Sequence, residues 1–150
     1  MKLFAFFFVI STVLSIAYSA QYSNCGSDSG TFTKISVSDC GEKEARCVLK
    51  RGTNATITIE FTSNNDVENE VMAVCHGKVG GMFVPFKLPN QNACVESGLE
   101  CPLEKGKAYK YEASFPVLKI YPKLDVEVKY ELKNSKKVDI ICVLIPVKIV

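Results

Sequence analysis

The alternation of apolar and polar side chains is the feature that most constrains the fold of this 150-residue chain. Residues 124–132 carry an apolar side chain at every second position and a charged one between. Successive side chains of a strand point to opposite faces, so this pattern predicts a strand buried on one face only. Residues 56–62 and 107–115 repeat it, and no segment shows the apolar spacing of a helix. The chain is therefore predicted to be all-β.

Turn-forming residues divide the chain into about seven short strands. Clusters rich in Gly, Asn, Pro and Lys separate them, and no segment could form the crossover helix that parallel neighbours need. This organisation predicts one domain over residues 21–150, folded as a two-sheet antiparallel β-sandwich. The predicted strands are 31–38, 56–62, 71–79, 82–86, 107–115, 124–132 and 138–149.

Residues 1–20 have the composition of a secretory signal peptide. Lys2 provides the positive start, an apolar run follows from residue 3, and small residues occupy positions 17, 19 and 20. The strongly apolar part is shorter than the span of about 20 residues that a membrane helix needs. We predict cleavage and secretion, with the Asn54-Ala55-Thr56 sequon as an exposed glycosylation site at Asn54.

Seven cysteines are far more than cytosolic proteins usually carry, which indicates an oxidising compartment. An odd number leaves one unpaired. Cys40 and Cys47 bracket six residues, as do Cys94 and Cys101, so each pair could close a local loop. The remaining three are Cys25, Cys142 and Cys75, and a bridge between the first two would join the ends of the domain. Cys75 is then a free, buried thiol that acts as a small hydrophobic residue, and the alternative is a reactive or intermolecular thiol.

Catalysis, metal binding and nucleic-acid binding are all disfavoured. His76 is the only histidine, and its neighbour Cys75 points to the opposite face of a regular strand. No C-x-x-C motif exists, and the histidine lies outside any zinc spacing. A net charge of +2 gives no electrostatic attraction for nucleic acid. We predict no enzyme activity, no metal and no cofactor.

Short motifs along the whole domain resemble the ML-domain lipid-recognition family, which includes small soluble cholesterol carriers. Their order and spacing carry the resemblance, and six cysteines in register make it specific. The motifs are NCGS at 24–27, VSDC at 37–40, FTSN at 61–64, AVCHG at 73–77, VPF at 84–86, CP at 101–102, YP at 121–122 and IPV at 145–147.

The resemblance implies an immunoglobulin-like sandwich with a lipid cavity between its sheets. It also implies the pairing Cys25–Cys142, Cys40–Cys47 and Cys94–Cys101. By motif match, ligand contacts fall on Val37, Phe86, Val117 and Tyr121, with Phe115 and Pro116 beside them. The apolar faces of other strands would line the cavity if the sheets separate and would form plain core if they meet; these residues are Ile59, Phe61, Val126, Val128 and Tyr130.

The segment 76–83 resembles the family's membrane- and receptor-facing loop. His76, Gly77, Met82 and Phe83 are its candidate contact residues, and the alternative is a simple Gly-Gly turn. Tyr130 and Val143 stand where sterol-binding relatives often carry tryptophan, which would favour a flexible chain over a rigid sterol.

These features together predict a secreted, monomeric, non-enzymatic lipid carrier. Sterol transport is the leading function. The alternatives are a carrier of fatty acids or small hydrophobic semiochemicals and an innate-immune sensor of microbial lipid. The expected partners are one lipid ligand and a transient membrane or lipid-receptor contact. The destination is extracellular or the lysosomal lumen.

Overall fold

The computed structural model describes residues 22–41, 43–65 and 68–150, so the predicted signal peptide lies outside the described residues. Within them the chain forms strands and no helix, and therefore no helix long and apolar enough to span a membrane. The nine strands are β1 Ser23–Asn24, β2 Gly30–Val37, β3 Cys47–Leu49, β4 Thr53–Ser63, β5 Met72–Val79, β6 Met82–Phe86, β7 Ala108–Val117, β8 Asp125–Lys133 and β9 Asp139–Ile149.

The strands form two sheets, as predicted. The larger sheet has the order β1-β9-β8-β5-β6, with β3 also paired to β9, and the smaller has the order β2-β4-β7. All seven predicted strands are present, within a few residues of their expected ends. The two additional strands, β1 and β3, are only two and three residues long, too short to show a period of two.

One pairing departs from the antiparallel pattern. β3 runs parallel to β9, with Cys47 opposite Val147, whereas the other strand pairs are antiparallel. The sequence could not show this, because the two strands lie about a hundred residues apart. The chain between them forms β4 to β8, and no crossover helix marks them as parallel neighbours.

The alternation buries one face of each long strand. On β4, Ala55, Ile57, Ile59 and Phe61 are at most 2% exposed, whereas the residues between them face outward. The opposing sheet buries Tyr130 and Leu132 in the same way. The inward faces of the two sheets form one continuous core.

Three disulfides join the pairs that the family resemblance implies: Cys25–Cys142, Cys40–Cys47 and Cys94–Cys101. The first spans 117 residues and ties β9 to the segment after β1, whereas the other two close loops of seven. Cys75 is a free thiol and is buried, as predicted.

Candidate functional site

An apolar pocket lies between the two sheets, at the end where β4 begins and β7 ends. Both sheets contribute to its walls, and the segments after β6 and β7 close its rim. The lining residues are Leu49, Cys75, Phe86, Val126, Val128, Val147 and Ile149 from the larger sheet, Phe115, Pro116 and Val117 from β7, and Lys87, Leu88 and Tyr121 from the rim.

Strand register places these side chains together. Val126 is opposite Val147 in the β8–β9 pair, and Cys75 is opposite Phe86 in the β5–β6 pair. Directly opposite residues in a sheet point to the same face. Val117 pairs with Thr53 at the end of the β4–β7 ladder and faces these residues from the other sheet. The pocket is thus the open end of the core.

Two aromatic rings stand at the mouth of the pocket. Phe86 and Tyr121 pack edge to face, with ring centroids 5.2 Å apart and an interplanar angle of 77°. Gly77 makes room for this arrangement, because a Cβ atom there would lie 2.4 Å from Cε2 of Phe86. The glycine therefore allows the Phe86 ring to lie across β5 and close the mouth.

The pocket is narrow. Its volume is about 50 Å³, which accommodates one or two waters. Pockets that hold drug-sized ligands measure about 300–1,000 Å³. Phe86 belongs to β6 and Phe115 to β7, which are both edge strands. An edge strand is held by only one neighbour, so β6 and β7 are the strands whose movement would widen the pocket.

The thiol and the tyrosine hydroxyl groups in and beside the pocket are uncharged at neutral pH. Burial raises the pKa of the Cys75 thiol to about 12. Burial also raises the pKa of Tyr111, Tyr121 and Tyr130, and for Tyr130 the neighbouring Tyr111 adds to the effect. A thiol with so high a pKa is a poor nucleophile, because the thiolate is the reactive form.

His76 lies on the other face of β5. Its Nδ1 atom is 3.7 Å from Oε1 of Glu131. The Glu131 side chain is only 3% exposed, and its other oxygen, Oε2, lies 2.8 Å from Nζ of Lys133. Burial opposes the charged form of Glu131, but hydrogen bonds and the positive charges of Lys133 and Lys129 outweigh it and lower the pKa. Cys75 and His76 therefore do not meet, as the alternation predicted.

A cluster of potential metal-ligating atoms occurs on the same outer face. Glu131, Asp139 and Cys142 bring one such atom each to within 4.8 Å of one another. The sulfur of Cys142 is bonded to Cys25, so it is not available as a thiolate ligand. The cluster is better described as the surroundings of the Lys133 ion pairs.

Comparison with known proteins assigns the fold to a family. The family model described as the ML domain matches residues 19–149. The chain belongs to the ML domain family.

Relatives resemble this ML domain over nearly its whole length. The "NPC intracellular cholesterol transporter 2 homolog a" of Drosophila melanogaster is 45% identical over 93% of both chains. The "Ecdysteroid-regulated 16 kDa protein" of Manduca sexta is 40% identical over 95% of this chain and 98% of its own. The solved structure of a Niemann-Pick type C2 protein from the Japanese carpenter ant is 34% identical, covers 87% of this chain and 99% of its own, and has a TM-score of 0.81.

The predicted pocket residues divide into two groups in this ML domain. Phe86, Phe115, Pro116, Val117, Tyr121, Val126 and Val128 line the pocket. Four others lie in the buried core and outside the lining: Val37, Ile59, Phe61 and Tyr130. Away from the pocket end the sheets meet, and the inward side chains there fill the space as core.

Six lining residues were absent from the predicted ligand contacts: Leu49, Cys75, Lys87, Leu88, Val147 and Ile149. Leu49 belongs to the short parallel strand, which has no sequence pattern. Cys75 was predicted as a buried residue, but only its register opposite Phe86 shows that it faces the pocket. β9 was interpreted as apolar on both faces, but Val147 and Ile149 flank the charged, exposed Lys148, so alternation at the end of the strand does mark both as inward.

The loop predicted to contact membranes is the β5–β6 hairpin of the ML domain. Its turn is Gly80-Gly81, both with positive φ, and Met82 beside it is 71% exposed. Phe83 is 44% exposed, with the ammonium groups of Lys78 and Lys129 over its ring. His76 and Gly77 lie further along β5, away from the tip.

The predicted glycosylation residue Asn54 is exposed near the start of β4, opposite Pro116.

Positive charge collects beside the pocket mouth. Lys50, Arg51, Lys119 and Lys123 surround a surface depression, and we call these four residues the basic cluster. Arg51 donates hydrogen bonds to the carbonyl oxygens of Lys119 (3.1 Å) and Tyr121 (3.2 Å), which links the cluster to the mouth. The small net charge of the chain concealed this local concentration, because the cluster joins two segments far apart in sequence.

Proposed function

We propose that this protein is a non-enzymatic lipid carrier that holds one apolar ligand between its two sheets, with a sterol as the leading candidate. The observation that carries the proposal is the apolar pocket at the open end of the core, with Phe86 and Tyr121 at its mouth. The name of the Drosophila melanogaster relative, a cholesterol transporter homolog, supports a sterol.

Binding would follow from the burial of apolar surface. Each Å² removed from water contributes about 25 cal/mol. The ligand enters by separating Phe86 on β6 from Phe115 and Val117 on β7, and its apolar body contacts the valines of β8. Its polar head stays at the mouth, near the hydroxyl group of Tyr121.

The proposal of a carrier rather than an enzyme rests on the chemistry of the pocket. The Cys75 thiol is protonated at neutral pH, because burial raises its pKa to about 12. His76 lies on the opposite face of β5, where it contacts Glu131. Neither a nucleophile nor a general base is therefore directed at a ligand.

Secretion as a monomer forms part of the proposal. It rests on the signal-peptide pattern of residues 1–20, the three disulfides and the exposed sequon at Asn54. The destination is the extracellular space or the lysosomal lumen. We also propose that the β5–β6 hairpin makes a transient contact with a membrane or lipid receptor, since Met82 and Phe83 expose apolar side chains there.

A carrier of anionic lipids is the second candidate, and the basic cluster favours it. The carboxylate of a fatty acid at the mouth would lie beside Arg51 and Lys119, which could neutralise it. Small hydrophobic semiochemicals would use the same pocket without the cluster. The phosphate groups of a microbial lipid would also find positive charge here, as an immune sensor requires.

The test is to identify what the protein binds. Protein purified from a eukaryotic secretory host is extracted with organic solvent, and the extract is analysed by mass spectrometry.

Purified protein is then titrated with a fluorescent sterol and, separately, with a fluorescent fatty acid. We expect saturable binding of the sterol at one site per chain. Tighter binding of the fatty acid, lost when Lys119 and Lys123 are changed to Ala, would support the second candidate instead. Binding of neither probe would overturn the carrier proposal.

Substitution of Gly77 tests the mouth of the pocket. In Gly77→Ala the new methyl group meets the Phe86 ring and lies 3.2 Å from Cγ2 of Val126, so the ring has to move. We expect sterol affinity to fall about tenfold and the free energy of unfolding to fall by about 1–3 kcal/mol. Gly41→Ala is the control, since its new methyl group approaches only the Glu44 side chain at 3.9 Å. Equal sterol affinity of the two variants would contradict this account of the mouth.

A further inference from the structure

A pair of buried tyrosine hydroxyl groups joins the two sheets. Tyr111 on β7 and Tyr130 on β8 are each 1% exposed, and their hydroxyl oxygens are 2.7 Å apart. The ring centroids lie 6.1 Å from each other. Because the two strands belong to different sheets, this hydrogen bond crosses the interior of the sandwich.

The pair lies in the core beside the pocket, just beyond its lining residues. On β8, the inward position after the lining residue Val128 is Tyr130. Across the larger sheet, Tyr130 is the register partner of Cys75, which also lines the pocket. On β7, Tyr111 is the second inward position beyond the lining residue Phe115. The walls of the pocket on both sheets therefore lead to the two hydroxyl groups.

The two hydroxyl groups can form only one hydrogen bond with each other, so one O–H group is left without an acceptor. Each hydroxyl carries one proton, and burial raises the pKa of both groups, so both protons are retained. One proton is used in the Tyr111–Tyr130 hydrogen bond. The described part of the chain forms no other hydrogen bond to either hydroxyl. A buried donor without an acceptor is unfavourable, so an acceptor brought into the pocket would be bound favourably.

We propose that the Tyr111–Tyr130 pair is an inner polar subsite, which binds an uncharged oxygen at the leading end of the lipid. This inference rests on the proposed carrier function and specifies its ligand class. The fitting ligand is an apolar molecule with a hydroxyl or carbonyl group at the end that enters first. A ligand hydroxyl group would accept a hydrogen bond from the spare tyrosine O–H and donate one to a tyrosine oxygen. A carboxylate does not fit, because the charged residues near the pocket are at its mouth and a buried unpaired anion is costly.

The experiment compares two ligands that differ only at one end. Displacement of a fluorescent sterol gives the Kd of cholesterol and of a cholesterol derivative hydroxylated at the end of its side chain. We expect the wild-type protein to bind the hydroxylated sterol about three- to tenfold more tightly, the value of one additional hydrogen bond. In the double variant Tyr111→Phe with Tyr130→Phe, the preference should disappear.

Tyr109→Phe is the matched control. Tyr109 lies on the same strand and the same face, and its hydroxyl accepts a hydrogen bond from the Glu104 N–H rather than from the pair. This variant should keep the preference for the hydroxylated sterol.

Equal affinity of the two sterols for the wild-type protein would overturn the subsite and leave the carrier function intact. That result is expected if a water molecule already accepts the hydrogen bond of the spare tyrosine O–H. That comparison needs no variant, so it stands even if the double variant fails to fold. Failure of both sterols to bind the wild-type protein would instead overturn sterol carriage itself.

Discussion

Replacing Val117 with Phe should lower the affinity for a sterol by about 100-fold. Val117 is 3% exposed and lines the pocket from β7, opposite the larger sheet. A larger side chain there occupies the approximately 50 Å³ from which the pocket must open. Loss of about 100 Å² of ligand burial at about 25 cal/mol per Å² accounts for an effect of this size. Titration with a fluorescent sterol measures it.

Val48→Phe is the control for this substitution. Val48 also lies on a strand, but it is 45% exposed and does not line the pocket. The same chemical change at this position should leave sterol affinity within about twofold of wild type, since the side chain of Val48 points to the opposite face of β3 from that of the lining residue Leu49. If both variants bind the sterol as the wild-type protein does, the ligand does not enter between β7 and the larger sheet.

Removal of the Cys25–Cys142 disulfide should cause the largest loss of stability. Its loop spans 117 residues, and in the chain-entropy model closure of such a loop contributes about 5 kcal/mol. The double variant Cys25→Ala with Cys142→Ala should therefore lose at least about a third of its free energy of unfolding, since domains of this size are stable by only about 5–15 kcal/mol. Urea denaturation followed by circular dichroism gives the free energy of unfolding.

The Cys94–Cys101 disulfide is the matched comparison. It closes a loop of only seven residues, for which the same model gives about 2.5 kcal/mol. The double variant Cys94→Ala with Cys101→Ala should consequently unfold at a urea concentration between those of the wild-type protein and the Cys25–Cys142 variant. A larger loss from the short loop than from the long one would show that strand attachment, rather than loop length, governs the contribution of these disulfides.

The apolar face of each long strand could be predicted from sequence because alternation is a local property. Val126 and Val128 were predicted on the inward face of β8, and the structure places both on the pocket wall. Ile59 and Phe61 show the same alternation on β4, yet they are packed core. The period of two identifies the inward face, but it carries no information on whether the opposing sheet touches that face or leaves a gap.

Contacts between residues that are distant in sequence show most clearly what the sequence could not predict. Tyr111 appeared as an ordinary inward position and Tyr130 as a candidate cavity residue, and nothing local indicated that their hydroxyl groups would meet. The basic cluster likewise joins residues 50–51 to residues 119–123, and a net charge of +2 gave no sign of it. Contacts of this kind depend on how two sheets are placed against each other.

The sequence by itself determined that the chain is an all-β sandwich, and its cysteine spacing and motifs indicated the ML domain family. These properties follow from periodicity and from residue order, which are present in the chain before it folds. Only the tertiary structure decided where the sheets separate, which inward residues face a pocket, and that two tyrosine hydroxyl groups meet in the core beside it. The physical reason is that the distance between two sheets results from the packing of all their inward side chains, and no single strand encodes it.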